Sequence, residues 1–209
     1  MAIDTGKIKQ AVRDAVKQKA VEAGSEVLQK LRPSGAPATP PFATEPLFRS
    51  TLPIPQPGKA DTLVIMCNSW EWRRHTQEFL ATALHLTEYD QVSIPGGVQW
   101  LALPDILPKH NKVARWMTEY LVRKHNLSRV ICIAHEDCSA YEDHSTLGAI
   151  AHVVTGKSVF EHQIEQLRAA ANVITESLGV RVEMYYASSE NGAVVFHKVE
   201  LQPAERQPS

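Results

Sequence analysis

Val130-Ile131-Cys132-Ile133-Ala134-His135-Glu136-Asp137-Cys138 is a short apolar run that closes on a histidine, two acids and a cysteine. A second run of the same kind, Thr62-Leu63-Val64-Ile65-Met66-Cys67, closes on another cysteine. Brief runs that are apolar throughout and bounded by polar residues read as strands buried on both faces, as in parallel sheets. In an open parallel sheet, sites form just past the carboxyl ends of the strands, where the strand order reverses. Both runs therefore carry their sulfur and nitrogen side chains to the edge where such sites are built.

From Asp61 onward strand and helix patterns alternate. The pattern predicts a strand over 62–67, a helix over about 70–85 and a strand over 90–94. Helical segments follow over about 97–103 and 108–125, then a strand over 128–134 and a helix over 157–178. Two last strands, near 180–187 and 193–199, flank Asn191-Gly192, a turn pair that predicts a hairpin at the sheet edge. The expected class is α/β: a mostly parallel sheet flanked by helices, with an edge hairpin.

Ahead of this domain, residues 1–31 show the spacing of an amphipathic helix. Ile8, Val12, Val16, Val27 and Leu31 fall near one face and Lys7, Lys9, Arg13 and Lys17 on the other. Residues 32–60 hold eight of the thirteen prolines, a density that excludes helix and central strand. Phe42, Leu47, Phe48, Leu52 and Ile54 give that stretch apolar anchors, the makings of an extended arm laid across a partner rather than a free tether. The expected organisation is a helix over 1–31, an arm or linker over 32–60, an α/β domain over 61–202 that carries both cysteine-ended runs, and a tail over 203–209.

The chain has 209 residues, 44% of them hydrophobic, which is enough for one good core. A net charge of -1 gives no electrostatic footprint for nucleic acid. No apolar stretch approaches the roughly 20 residues of a membrane span, and the first residues lack an apolar signal core. Three cysteines form no even disulfide framework. These features predict a soluble cytoplasmic protein.

Two thiolates and one imidazole at one crevice make a Cys₂His set, a zinc tetrahedron with its fourth corner open. An open corner is where water becomes a nucleophile near neutral pH. The spacing is also compatible with Cys67 and Cys138 as small core hydrophobes and His135 as a loop residue. Cys132, in mid-strand between Ile131 and Ile133, reads as core packing.

At these residues the chain resembles the β-class carbonic anhydrases. That family carries Cys-x-Asp-x-Arg after its first strand and His-x-x-Cys after its third. His135-Glu136-Asp137-Cys138 matches the second motif, and Cys67 matches the first ligand, 68 positions before His135. Ser93-Ile94-Pro95-Gly96-Gly97 stands where the family has Arg-Asn-x-Gly, with only the glycine kept. The resemblance implies Zn2+ on Cys67, His135 and Cys138 and reversible hydration of carbon dioxide to bicarbonate by a zinc-bound hydroxide. It also implies a homodimer or a higher homo-oligomer. Two alternatives are a zinc hydrolase of another small electrophile and a non-catalytic zinc-bearing assembly module.

The chain departs from the family at the Asp/Arg pair, where it has Ser69 and Glu71 in Cys67-Asn68-Ser69-Trp70-Glu71. Partners of that kind commonly matter by about 10–100-fold. Four residues are candidates to stand in. Arg73 and Arg74, at the start of the following helix, could pair with Glu71, or lie on its solvated face. Ser69 could touch a zinc-bound water, or cap the helix that starts at Trp70. Asp137, between two ligands, could orient His135 or the water, or hold its loop. Trp70, Trp72 and Trp100 could wall an apolar pocket, or pack in the core or an interface.

Overall fold

The computed structural model describes residues 58–142 and 156–201, together with Phe48, Ser50, Thr51, Leu52 and Gln56. The helix expected over 1–31, most of the arm and the tail over 203–209 lie outside the described residues.

Five strands form one sheet: β1 (Thr62–Met66), β2 (Asp90–Ser93), β3 (Arg129–His135), β4 (Arg181–Glu190) and β5 (Ala193–Val199). Their order is β2-β1-β3-β4-β5, parallel except for the β4–β5 pair. The described helices are α1 (Trp70–Thr82), α2 (Gln99–Ala102), α3 (Pro108–His125), α4 (Ser139–Glu142) and α5 (Val159–Leu178). The class is α/β.

Successive side chains of β1 and β3 point to opposite faces of the sheet, and both faces are covered. Leu63, Ile65, Val130 and Cys132 pack on one side against Ala114 and Val122 of α3 and Leu167, Ala170 and Ile174 of α5. Val64, Met66, Ile131 and Ile133 pack on the other with Leu80 of α1 and Tyr185. That two-sided burial is why both runs are apolar at every position. Cys132 is fully buried in the first core, as its place in mid-strand predicts.

The elements end where local chemistry requires. Ser158 and Glu161 form a reciprocal capping box at the start of α5, and Gly179, with φ 67°, ends it. Asn126, at φ 56°, ends α3 behind Arg123, Lys124 and His125, whose charges suit the negative end of the helix. Asn191 (φ 51°) and Gly192 (φ 80°) form the two-residue turn between β4 and β5, the left-handed pair that matches strand twist. Most boundaries fall within two residues of the pattern, and two differ by three. His85 adopts φ 53°, and the helix predicted to about 85 closes at Thr82. β4 runs on to Glu190, because the hairpin keeps it paired beyond the parallel part of the sheet.

The order 2-1-3-4-5 fixes where a site belongs. The chain leaves β1 for β2 on one side, then crosses back to β3 on the other. The crevice of such a sheet lies at the carboxyl ends of β1 and β3.

Candidate metal centre

Cys67 is the first residue past β1, His135 is the last residue of β3, and Cys138 directly precedes α4. The register pairs Met66 with Ile133, so the two strands end side by side. The sulfurs of Cys67 and Cys138 lie 3.7 Å apart. With a ring nitrogen of His135 they form a group whose ligand atoms all lie within 4.8 Å of one another. All three residues are buried.

The histidine is held from several directions. Its Nδ1–H donates to the Glu136 carbonyl at 2.6 Å, which leaves Nε2 as the lone-pair nitrogen. Its own carbonyl accepts from Gln163 Nε2 at 2.8 Å. The Trp72 indole stacks on its ring at 4.9 Å between centroids and 27° between planes. Nε2 itself is buried and without a protein partner among the described residues. An unpaired buried acceptor costs about 1–3 kcal/mol. A cation coordinated at Nε2 would remove that cost, and two nearby sulfurs complete a donor set suited to zinc. The residues present fit the metal that the sequence motif implies.

Backbone amides face the sulfurs. Those of Ser69 and Gly96 donate to Cys67, and those of Gly96 and Ala140 donate to Cys138. The Cys67 thiol is lowered, first by its hydrogen bond with Cys138, with further help from the two amides against the opposing effect of burial. Cys138 is pushed up by the same bond, then by burial and the Cys67 charge. The two sulfurs titrate as one coupled pair, and a metal bound to both would displace their protons. Gly97, at φ 53°, backs this arrangement: a Cβ there would lie 3.1 Å from the Cys67 nitrogen. The Pro95-Gly96-Gly97 turn can press against the end of β1 only because Gly97 has no side chain.

The other candidates are spread out. Ser69 meets Cys67 through its amide, and its hydroxyl makes no capping bond to α1. Glu71, Arg73 and Arg74 are exposed. Asp137 is exposed in a left-handed turn, φ 50°, which brings the chain back so that Cys138 faces Cys67. With Glu136 it lines a surface cavity of about 800 Å³, floored by Phe160 and Tyr186. The three tryptophans share no wall. Trp70 is exposed, Trp72 stacks on His135, and Trp100 packs against the α3 side of the core with its edge toward His110. Sequence reasoning did not single out Gln163 or the Gly96 amide. A glutamine on the apolar face of α5 was the available signal for the first; for the second, the sequence marked the glycine but not the use of its amide.

No protein-family model matches the chain, and no curated protein matches it. Solved structures do. The chain is similar in structure to β-carbonic anhydrases. The b-carbonic anhydrase CafA of Aspergillus fumigatus aligns over 97% of this chain and 94% of its own, at TM-score 0.49 and 11% identity. One of two tetrameric β-carbonic anhydrases from Sordaria macrospora aligns over 93% and 97%, at 0.43 and 10%. A carbonic anhydrase of Streptococcus mutans aligns over 71% and 87%, at 0.42 and 16%. Identities and scores this low leave the metal reading to rest on the distances and burial within this chain.

Proposed function

We propose that the chain is a zinc protein of the carbonic anhydrase type, with Cys67, His135 and Cys138 as ligands and carbon dioxide and bicarbonate as substrate and product. The observation that carries this reading is the buried, unpartnered Nε2 of His135 in one group with two sulfurs. Bound zinc would act as a Lewis acid, bringing the pKa of a coordinated water to about 7 and so supplying a nucleophile at neutral pH. The chain's residues set the stage for that chemistry. Nδ1–H on the Glu136 carbonyl holds the imidazole in the tautomer that coordinates through Nε2. The amides of Ser69, Gly96 and Ala140 spread the charge of two thiolates without closing a coordination position. Ser69 is the candidate to hydrogen-bond the reacting water and Asp137 the candidate to hold the ligand turn in shape.

The conditions of action follow. The protein works in the cytoplasm, where thiolates stay reduced, and as a homodimer or larger homo-oligomer. Trp70, Trp116 and Phe160 leave large apolar surfaces exposed on the single chain, as an oligomer interface would.

One observation favours a second reading, a non-catalytic zinc-bearing module. Ser69 and Glu71 stand in place of a charged Asp/Arg pair, Glu71 is exposed, and the three ligands are at most 8% exposed. Stopped-flow carbon dioxide hydration on protein of known zinc content separates the two. One zinc per chain with a rate well above buffer supports the enzyme. One zinc with no rate supports the module or a hydrolase of another small electrophile, and no zinc overturns the metal reading.

A further inference from the structure

The Trp72–His135 stack is more than packing. α1 buries a single stripe, Trp72, Thr76 and Leu80, spaced four residues apart. Trp72 is the end of that stripe nearest the site, five residues after Cys67. The segment that supplies one sulfur thus also supplies the flat surface on which the imidazole rests. The remaining constraints on His135 act elsewhere: Gln163 holds its backbone carbonyl, and the Glu136 carbonyl holds one ring atom, Nδ1. A single hydrogen bond at Nδ1 tolerates a range of angles, so the ring can still swing about its Cβ–Cγ bond. Contact across its face removes that freedom, and Trp72, itself only 9% exposed, makes the contact.

We propose that Trp72 is a positioning residue for the metal, holding the His135 ring in the plane that aims Nε2 at the space between the two sulfurs. The role rests on the zinc reading above and needs a flat side chain, not an indole nitrogen or a charge. Trp72→Phe keeps a flat face of smaller area. Trp72→Leu fills part of the space without one, and Trp72→Met, longer and flexible, fills more of it.

The test uses full-length protein stripped of metal and titrated with zinc against a chromogenic chelator, with bound zinc counted by elemental analysis. Melting of the metal-free proteins is followed in parallel. Wild type and Trp72→Phe should bind one zinc with affinities within a few-fold of each other, and Trp72→Leu should bind about 10–100-fold more weakly. If Trp72→Leu fails to fold metal-free, Trp72→Met takes its place. Loading with Co2+ gives a readout that core stability alone does not move. The visible bands of a tetrahedral site should be shared by wild type and Trp72→Phe, and shifted or broadened in the variant without the flat face. Equal affinity and identical Co2+ spectra for the Leu or Met variant would overturn the positioning role while leaving the zinc site standing. A wild type that takes up no zinc would overturn the zinc reading itself.

Discussion

The Sγ atoms of Cys67 and Cys138 lie 3.7 Å apart although 71 residues separate them. The parallel β1–β3 pairing and the left-handed turn at Asp137 bring them together. Each should be indispensable to metal binding. Cys138→Ser and Cys67→Ser should each lose stoichiometric zinc after gel filtration. A metal chelator should lower the melting temperature of the wild type and leave both variants unmoved, because only a folded, metal-binding state gains from mass action. Full zinc in Cys138→Ser would exclude that sulfur as a ligand.

Gly97→Ala tests the turn behind the site. The new methyl would meet the Cys67 nitrogen and the Met66 carbonyl carbon at 3.1 Å, in a backbone conformation that disfavours any side chain. A loss of about 1–3 kcal/mol is expected in denaturant unfolding, together with weaker zinc binding. Gly192→Ala, whose Cβ meets nothing within 4 Å, should cost less and leave zinc binding intact.

Glu183, at the start of β4, gives the fold a pH dependence remote from the metal. Burial pushes its carboxyl up, but hydrogen bonds from Arg129 and Tyr185 and the charges of Arg129 and Arg181 outweigh it, so its pKa ends below the usual carboxylate value. A depressed carboxylate adds stability above its unfolded pKa, about 4.3, and that contribution is lost as pH falls through the lower folded value. Glu183→Gln should therefore cost about 1–3 kcal/mol at pH 7 and progressively less below pH 4, as measured by urea unfolding at several pH values. A difference independent of pH would mean that the residue acts through shape alone.

Ser69→Asp combined with Glu71→Arg rebuilds the Cys-x-Asp-x-Arg pattern. If the missing pair is what limits hydration, the double variant should gain about 10–100-fold in kcat/KM for carbon dioxide. Retained zinc with no gain would point to a different electrophile or to a structural metal.

The two buried strands and the edge hairpin were legible from composition and turn chemistry, because full burial leaves an apolar run and a two-residue turn needs Asn-Gly. Cys67, His135 and Cys138 stood out because they lie at or just past the ends of two apolar runs. The strand order was not legible: pairing β1 with β3 rather than with its later neighbours is decided by contacts across the whole domain. The roles around the site were hidden for the same reason. Trp72 reads as one core aromatic among several until α1 sets it on the His135 ring. Asp137 invites a catalytic reading by its place between two ligands, whereas its backbone turn and exposure emerge only from the folded chain.

The central claim is that two sulfurs and one imidazole hold the metal, and X-ray absorption at the zinc edge tests it most directly. Protein loaded with one zinc per chain should show two sulfurs at about 2.3 Å, two nitrogen or oxygen neighbours at about 2.0–2.1 Å, and the scattering signature of a single imidazole. A shell of nitrogen and oxygen alone, or one with no imidazole, would contradict it.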